Sequence, residues 1–146
     1  MYDEILLPTD GSAGMDTVIE HAMSLAREHG ATIHAVYVIN TANLSDIPLE
    51  SSWEGVSNAL EAEGRTALNE VERRIGDEVP LETTLIEGSP ATEVVNYGTE
   101  HNCDLIVMGT HGRSGVDRLL LGSVAERIVR TSPIPVLTIR VNSSEE

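Results

Sequence analysis

In this 146-residue chain an apolar run opens directly into Gly109-Thr110-His111-Gly112-Arg113-Ser114-Gly115, and nine residues separate Gly112 from a further pair, Gly122-Ser123. A phosphate held by backbone N–H groups needs positions without a Cβ, because the main chain itself must approach it. A helix that starts just beyond adds unpaired N–H donors and a partial positive charge. Three glycines between a strand and a helix supply that chemistry. The same residues also fit a plain strand-to-helix turn, with Ser123 and Glu126 forming a capping box. Charge points to the same segment: residues 101–140 hold five Arg and three acidic residues, inside a chain of net charge −15. Arg113 and Arg118 are the basic residues nearest the glycines, whereas Arg127 and Arg130 are accounted for by the negative end of their own helix.

Other chemistry-bearing residues give weaker signals. Asp10 can contact a ligand from a strand end or close an Asx-turn before Gly11. His111 reads as a solvent-facing loop residue rather than a base. The histidines at 21, 29, 34 and 101 have no metal-ligand spacing with one another or with Cys103, so no metal is expected on the protein's own side chains. Cys103, the single cysteine, is expected to be a small buried hydrophobe. No paired carboxylate, Ser-His-Asp or Cys-His arrangement stands out from spacing.

The elements that position these residues follow from periodicity. Glu4-Ile5-Leu6-Leu7-Pro8 reads as a buried strand, closed by a turn at Thr9-Asp10-Gly11. Ser12 is placed to cap a helix in which Met15, Val18, Ile19, Ala22, Met23, Leu25 and Ala26 recur at three- and four-residue spacing until Gly30. Ile33 to Ile39 is a second strand, and Asn40 to Ser52, without a period, is the longest loop. Val56, Leu60, Ala67, Leu68, Val71 and Ile75 form one face of an acidic helix ended by Gly76. Leu81 to Ile86 is a third strand, and Ser89-Pro90 opens a third helix. Asp104 to Met108 is a fourth strand. Val124, Ala125, Ile128 and Val129 line a last helix, and Pro133 and Pro135 lead into a final strand, Val136 to Arg140.

Strict alternation of strands and helices predicts an α/β fold: one domain spanning 1–146, an open five-stranded parallel sheet with helices on both faces. In such sheets ligands sit beyond the carboxyl ends of the strands, where Asp10, Asn40, Gly88 and Gly109 fall. Composition narrows the setting. No segment has the roughly 20 apolar residues of a membrane span, and the acidic start lacks the character of a signal peptide, so a soluble cytoplasmic protein is expected. No broad basic face is present, which argues against nucleic acid as a partner. All nine basic residues are Arg, and an acidic, lysine-free surface suits a highly salted cytoplasm: at 1 M salt the Debye length is about 3 Å, which screens self-repulsion.

Gly109-x2-Gly112-x9-Gly122-Ser123 resembles the nucleotide-binding signature of the universal stress protein family, in its ATP-binding branch. Residues 5–12, 104–109 and 132–137 are similar to the family's opening strand and turn, its fourth strand and its approach to the last strand. The resemblance implies a Rossmann-like fold that binds ATP, with Mg or Mn held through the phosphates, in a stress or signalling role rather than an enzymatic one. Carried over by position, Pro8 and Asp10 would lie beside the adenosine, Val38 would offer backbone groups to the adenine, and Met108 would pack near the base. Gly109, Gly112, Gly122, Ser123 and Val124 would wrap ribose and phosphates. Thr110, His111, Arg113, Ser114 and Gly115 fill the loop between. Ala125 departs from relatives that carry a hydroxyl residue there. The family also implies a homodimer through the last strand, residues 136–141, an edge that natural proteins seldom leave uncovered. Two other classes compete. Ser12-Ala13-Gly14-Met15-Asp16-Thr17 faintly resembles the loop of ATP pyrophosphatases, without its first glycine and with no lysine in the chain. A dimeric interaction module that no longer uses nucleotide would have lost the glycines. A P-loop kinase or ATPase is excluded because its motif requires lysine.

Overall fold

The computed structural model describes residues 2–40, 53–110 and 122–141. Nine elements alternate along the chain: β1 (Glu4–Pro8), α1 (Met15–His29), β2 (Thr32–Asn40), α2 (Trp53–Ile75), β3 (Leu81–Gly88), α3 (Pro90–Glu100), β4 (Leu105–Gly109), α4 (Ser123–Thr131) and β5 (Val136–Ile139). The strands make one sheet in the order β3-β2-β1-β4-β5, parallel throughout. This is the expected architecture.

The central strands β1 and β4 are apolar on both faces because both are covered, as a parallel sheet requires, while the edge strands β3 and β5 carry polar or exposed positions. Ile5, Leu7, Ile33, Ala35, Leu105 and Val107 pack under α1 and α2, against Val18, Ile19, Ala22, Leu68, Val71 and Ile75. The alternate residues Leu6, Val36, Ile106 and Met108 pack under α3 and α4, against Val94, Tyr97, Ala125 and Ile128. The chain runs from β1 outward to β3 and then returns to the other side of β1, so β1 and β4 are neighbours whose connections leave in opposite directions. That reversal opens a crevice at their carboxyl ends.

Several local expectations are corrected. Ser12 does not cap α1. Gly14 is the N-cap and makes no side-chain bond, and the Ser12 carbonyl accepts from the Met15 N–H at 3.1 Å. Nor does the Ser123–Glu126 capping box form. Gly122 is the cap of α4, Ser123 is the first helical residue, and the Glu126 N–H bonds the Gly122 carbonyl at 2.8 Å. Val124 and Val129 were expected among the core positions of α4 and are instead 39% and 45% exposed. A nine-residue helix on one side of a four-residue edge strand has a narrow contact stripe, which Ala125 and Ile128 fill. Residues 41–52, the Val56 side chain and His111 to Gly115 lie outside the described residues, as does Arg118.

Cys103 is buried, as expected. Burial first, then the charges of Glu4 and Asp104, push its thiol up to about 12 from 9.0. The folded chain therefore keeps the thiol proton across a range in which the unfolded chain releases it, so this group costs stability as pH rises from about 9 toward 12. Cys103→Ala is expected to flatten that part of the alkaline stability profile, and native protein at pH 8 should resist thiol reagents that label it in urea.

Candidate functional site

A cavity of about 520 Å³ lies at the β1/β4 crevice, and residues from six elements and their ends line it. Pro8, Thr9 and Asp10 come from the end of β1, Met15 from the start of α1, and Val36, Tyr37, Val38 and Asn40 from β2. Pro90 and Val94 come from α3, Met108, Gly109 and Thr110 from β4, and Gly122, Ser123, Val124 and Ala125 from α4. Three helices therefore begin at its wall. Their positive dipole ends face it, although in α1 the Met15 and Asp16 N–H groups are already bonded to the Ser12 and Ala13 carbonyls and Pro90, the first residue of α3, has no N–H.

Backbone bonds fix the rim. The Thr9 N–H donates to the Val36 carbonyl at 2.9 Å, tying β1's end to β2, and the Thr110 N–H donates to Ile139 at 2.9 Å, tying β4 to β5. The Gly122 N–H donates to the Thr110 carbonyl at 2.6 Å, so the two glycine segments meet although a long stretch of chain separates them. Asp10 forms the turn offered by the sequence and stands at the cavity wall. Its Oδ1 accepts from the Ser12 N–H at 2.9 Å, an Asx-turn, and the residue also lines the cavity. The Gly11 N–H bonds Thr9 Oγ1 at 3.1 Å and Gly11 has φ +76°, a conformation that requires glycine and turns the chain sharply from β1 toward α1.

Of the residues singled out from the sequence, Pro8, Asp10, Val38, Met108, Gly109, Thr110, Gly122, Ser123 and Val124 all line this one cavity. His111, Gly112, Arg113, Ser114 and Gly115 lie outside the described residues. The basic excess of residues 101–140 does not reach the described wall, where Asp10 is the one charged side chain. Sequence reasoning missed Thr9, Met15, Val36, Tyr37, Pro90 and Val94 as wall residues, because each also reads as an ordinary core or turn position. Asp16, a member of the pyrophosphatase-like loop, lines a neighbouring cavity of about 330 Å³ and is paired with Arg74 at 2.8 Å.

A second polar group sits at the opposite end of the sheet. His34 is buried, with Nε2 2.6 Å from Glu4 Oε1 and Nδ1 3.0 Å from the Tyr97 hydroxyl. A carboxylate only accepts, so Nε2 carries a proton toward Glu4, while Nδ1 and the Tyr97 hydroxyl share the second bond. The Tyr97 ring stacks on His101 with centroids 3.8 Å apart. Burial, opposed by a hydrogen bond with Thr84, raises the Tyr97 pKa. Among the described residues no group of three or more His, Cys, Asp or Glu is placed to hold a metal, and no helix is long and apolar enough to cross a membrane.

The sequence model of the universal stress protein family matches residues 1–140. The chain belongs to that family. It is 40% identical to universal stress protein MJ0531 of Methanocaldococcus jannaschii, over 99% of this chain and 86% of that one. The solved structure of protein MJ0577 superposes with a TM-score of 0.88 at 25% identity, covering 98% of this chain and 99% of the other. Two family structures with the same fold carry nucleotides. One is a universal stress protein in complex with cAMP (TM-score 0.71, 22% identity, 97% of this chain and 98% of that one). The other is from Archaeoglobus fulgidus, in complex with dAMP (TM-score 0.69, 21% identity, 94% and 98%).

Proposed function

We propose that this family member binds ATP in the β1/β4 cavity and passes its occupancy to a partner or to its own dimer, without appreciable turnover. The observation that carries the reading is the convergence of three helix N-termini and two glycine segments on one cavity. Backbone donors and dipole ends favour a polyphosphate even though the described wall has no basic side chain. Val36, Val38, Val94, Met15 and Met108 give an apolar slot suited to a base. In this assignment Pro8 and Asp10 flank the adenosine, Val38 presents main-chain groups to the adenine, and Gly109, Gly122, Ser123 and Val124 hold ribose and phosphates. Gly112 and the residues Thr110, His111, Arg113, Ser114 and Gly115 complete the loop. The cAMP and dAMP complexes of relatives support an adenine nucleotide as the ligand class. A divalent cation, Mg or Mn, would ride on the phosphates, and Asp10 is the one carboxylate on the described wall to face its water.

Hydrolysis needs a positioned base and charge stabilisation at the γ-phosphate, usually from Lys or Arg with carboxylate-held magnesium. With no Lys, turnover is expected to stay well below about 1 s⁻¹. Calorimetry with ATP and magnesium, followed by phosphate release from the same sample, tests both halves. Saturable one-to-one binding with slow release supports the reading. Several turnovers per second, abolished by Asp10→Ala, would make this an enzyme.

The same reading places a homodimer at residues 136–141, where β5 ends the sheet and Leu137 is 37% exposed. It also places the protein in a salty cytoplasm, where a charge of −15 is screened. One salt series checks both. From 0.1 M to 2 M KCl the thermal midpoint is expected to rise by more than about 5 °C, with light scattering reporting a dimer in molar salt. A flat midpoint would remove the halophilic assignment, and a monomer at micromolar concentration the dimer.

A further inference from the structure

Of the chain's four methionines, Met15, Met23 and Met108 fall within the described residues. They are equally enclosed, at 8%, 8% and 7% exposure, yet their surroundings differ. Met15 and Met108 line the 520 Å³ cavity from opposite faces of the sheet. Met15 also lines the neighbouring cavity, so it can be reached from two sides. Met23, midway along α1, lines neither of these cavities. A small oxidant that enters the cavity therefore meets two thioethers and leaves the third in packed core.

We propose that Met15 and Met108 are a modification site, oxidised together to sulfoxides by a peroxide, and that their oxidation closes the cavity to nucleotide. The inference rests on the nucleotide reading of that cavity. In the reaction the thioether sulfur attacks one peroxide oxygen. An S–O bond forms, the O–O bond breaks and water leaves, so the sulfur loses two electrons and the peroxide gains them. The product replaces a soft apolar group with a strong dipole that accepts hydrogen bonds and donates none. Around it stand the apolar Pro8, Val36, Val38 and Val94 and the Asp10 carboxylate, which only accepts, while Thr9, Tyr37, Asn40, Thr110 and Ser123 bring donors to the same wall. A sulfoxide oxygen in the slot takes a wall donor that the nucleotide would use or draws water in, and both displace a flat base. Sulfoxide reductases reverse the change, so the site can report oxidant reversibly.

The test is site-resolved. Protein is exposed to a fixed dose of hydrogen peroxide with and without saturating ATP. The rate of oxygen gain at each methionine is read by peptide mass spectrometry, and ATP affinity is measured before and after. Met15 and Met108 are expected to oxidise at least fivefold faster than Met23 without ligand, and ATP should slow those two at least fivefold while leaving Met23 unchanged. Oxidised protein should bind ATP at least tenfold more weakly, with affinity restored by reductase. Met15→Leu/Met108→Leu, whatever its own starting affinity, should show less than a twofold change on peroxide treatment. Equal rates at all three methionines overturn the modification site, and oxidation of both with unchanged affinity overturns the closure. Failure of untreated protein to bind ATP would overturn the nucleotide reading and the closure together, while selectivity for Met15 and Met108 is decided separately, in the ligand-free sample.

Discussion

Ser123→Asp is expected to weaken ATP binding at least thirtyfold while leaving the protein as stable as before. Ser123 is the first residue of α4, is exposed, and lines the cavity. A carboxylate in the first turn of a helix interacts favourably with the dipole, by about 0.3–1 kcal/mol, so folding gains slightly. The same carboxylate faces the polyphosphate that the helix end would hold. Like charges about 4 Å apart repel by about 1 kcal/mol in water and about 4 kcal/mol at the effective dielectric of a protein surface. A partly open cavity lies between these limits, and about 2 kcal/mol corresponds to the thirtyfold loss. Ser123→Asn keeps the shape without the charge and should lose much less. Calorimetry and a melting curve on both variants separate binding from folding. Wild-type affinity in Ser123→Asp would remove α4 from the phosphate site.

Leu6→Ala is expected to cost about 3 kcal/mol, a large share of the roughly 5–15 kcal/mol that stabilises a domain. Leu6 is fully buried on the central strand, paired with His34 on one side and Ile106 on the other. It packs in the cluster that also holds Val94, Tyr97 and Ile128. With strands on both sides, the backbone has no freedom to close the hole left by the lost methyls. Val129→Ala is the contrast: its 45% exposure limits the loss to less than about 0.5 kcal/mol. Urea midpoints for the two variants should therefore differ clearly. Similar midpoints would mean that β1 is not the centre of the sheet.

These two substitutions also mark what the sequence makes legible. Five short apolar runs separated by helical periods leave one sensible packing, a parallel sheet covered on both faces. The strand ends read from Pro8, Asn40 and Gly109 match the observed ends within a residue or two. About half of the cavity wall was readable: Asp10, Gly109 and Gly122 from their places at strand ends or a helix start, and Pro8, Val38 and Met108 through the family resemblance. Capping was not. Ser12 and Ser123 have the right residue type, but α1 starts beyond Ser12, with Gly14 as its cap, whereas α4 is capped one residue earlier, at Gly122, which puts Ser123 inside the helix. The buried face of α4 was also misread, because Val124 and Val129 have the apolar character of core residues and periodicity cannot tell how wide a stripe a neighbouring strand will cover. The His34 cluster was invisible, since its partners Glu4 and Tyr97 lie 30 and 63 positions away and only the fold brings them together. Met15 was read as core, which is half its role. It packs under the sheet and also walls the cavity.

The central claim, that an adenine nucleotide occupies the β1/β4 cavity, is tested most directly through the methionine methyl groups. Protein labelled with ¹³C at the methionine methyls is titrated with ATP and magnesium in molar KCl, and each resonance is followed by NMR. The Met15 and Met108 signals are predicted to move together and saturate at one ATP per chain, while Met23, enclosed to the same degree but away from the cavity, stays in place. Resonances of Met15 and Met108 that remain unmoved at saturating ATP, or a response confined to Met23, would contradict the account.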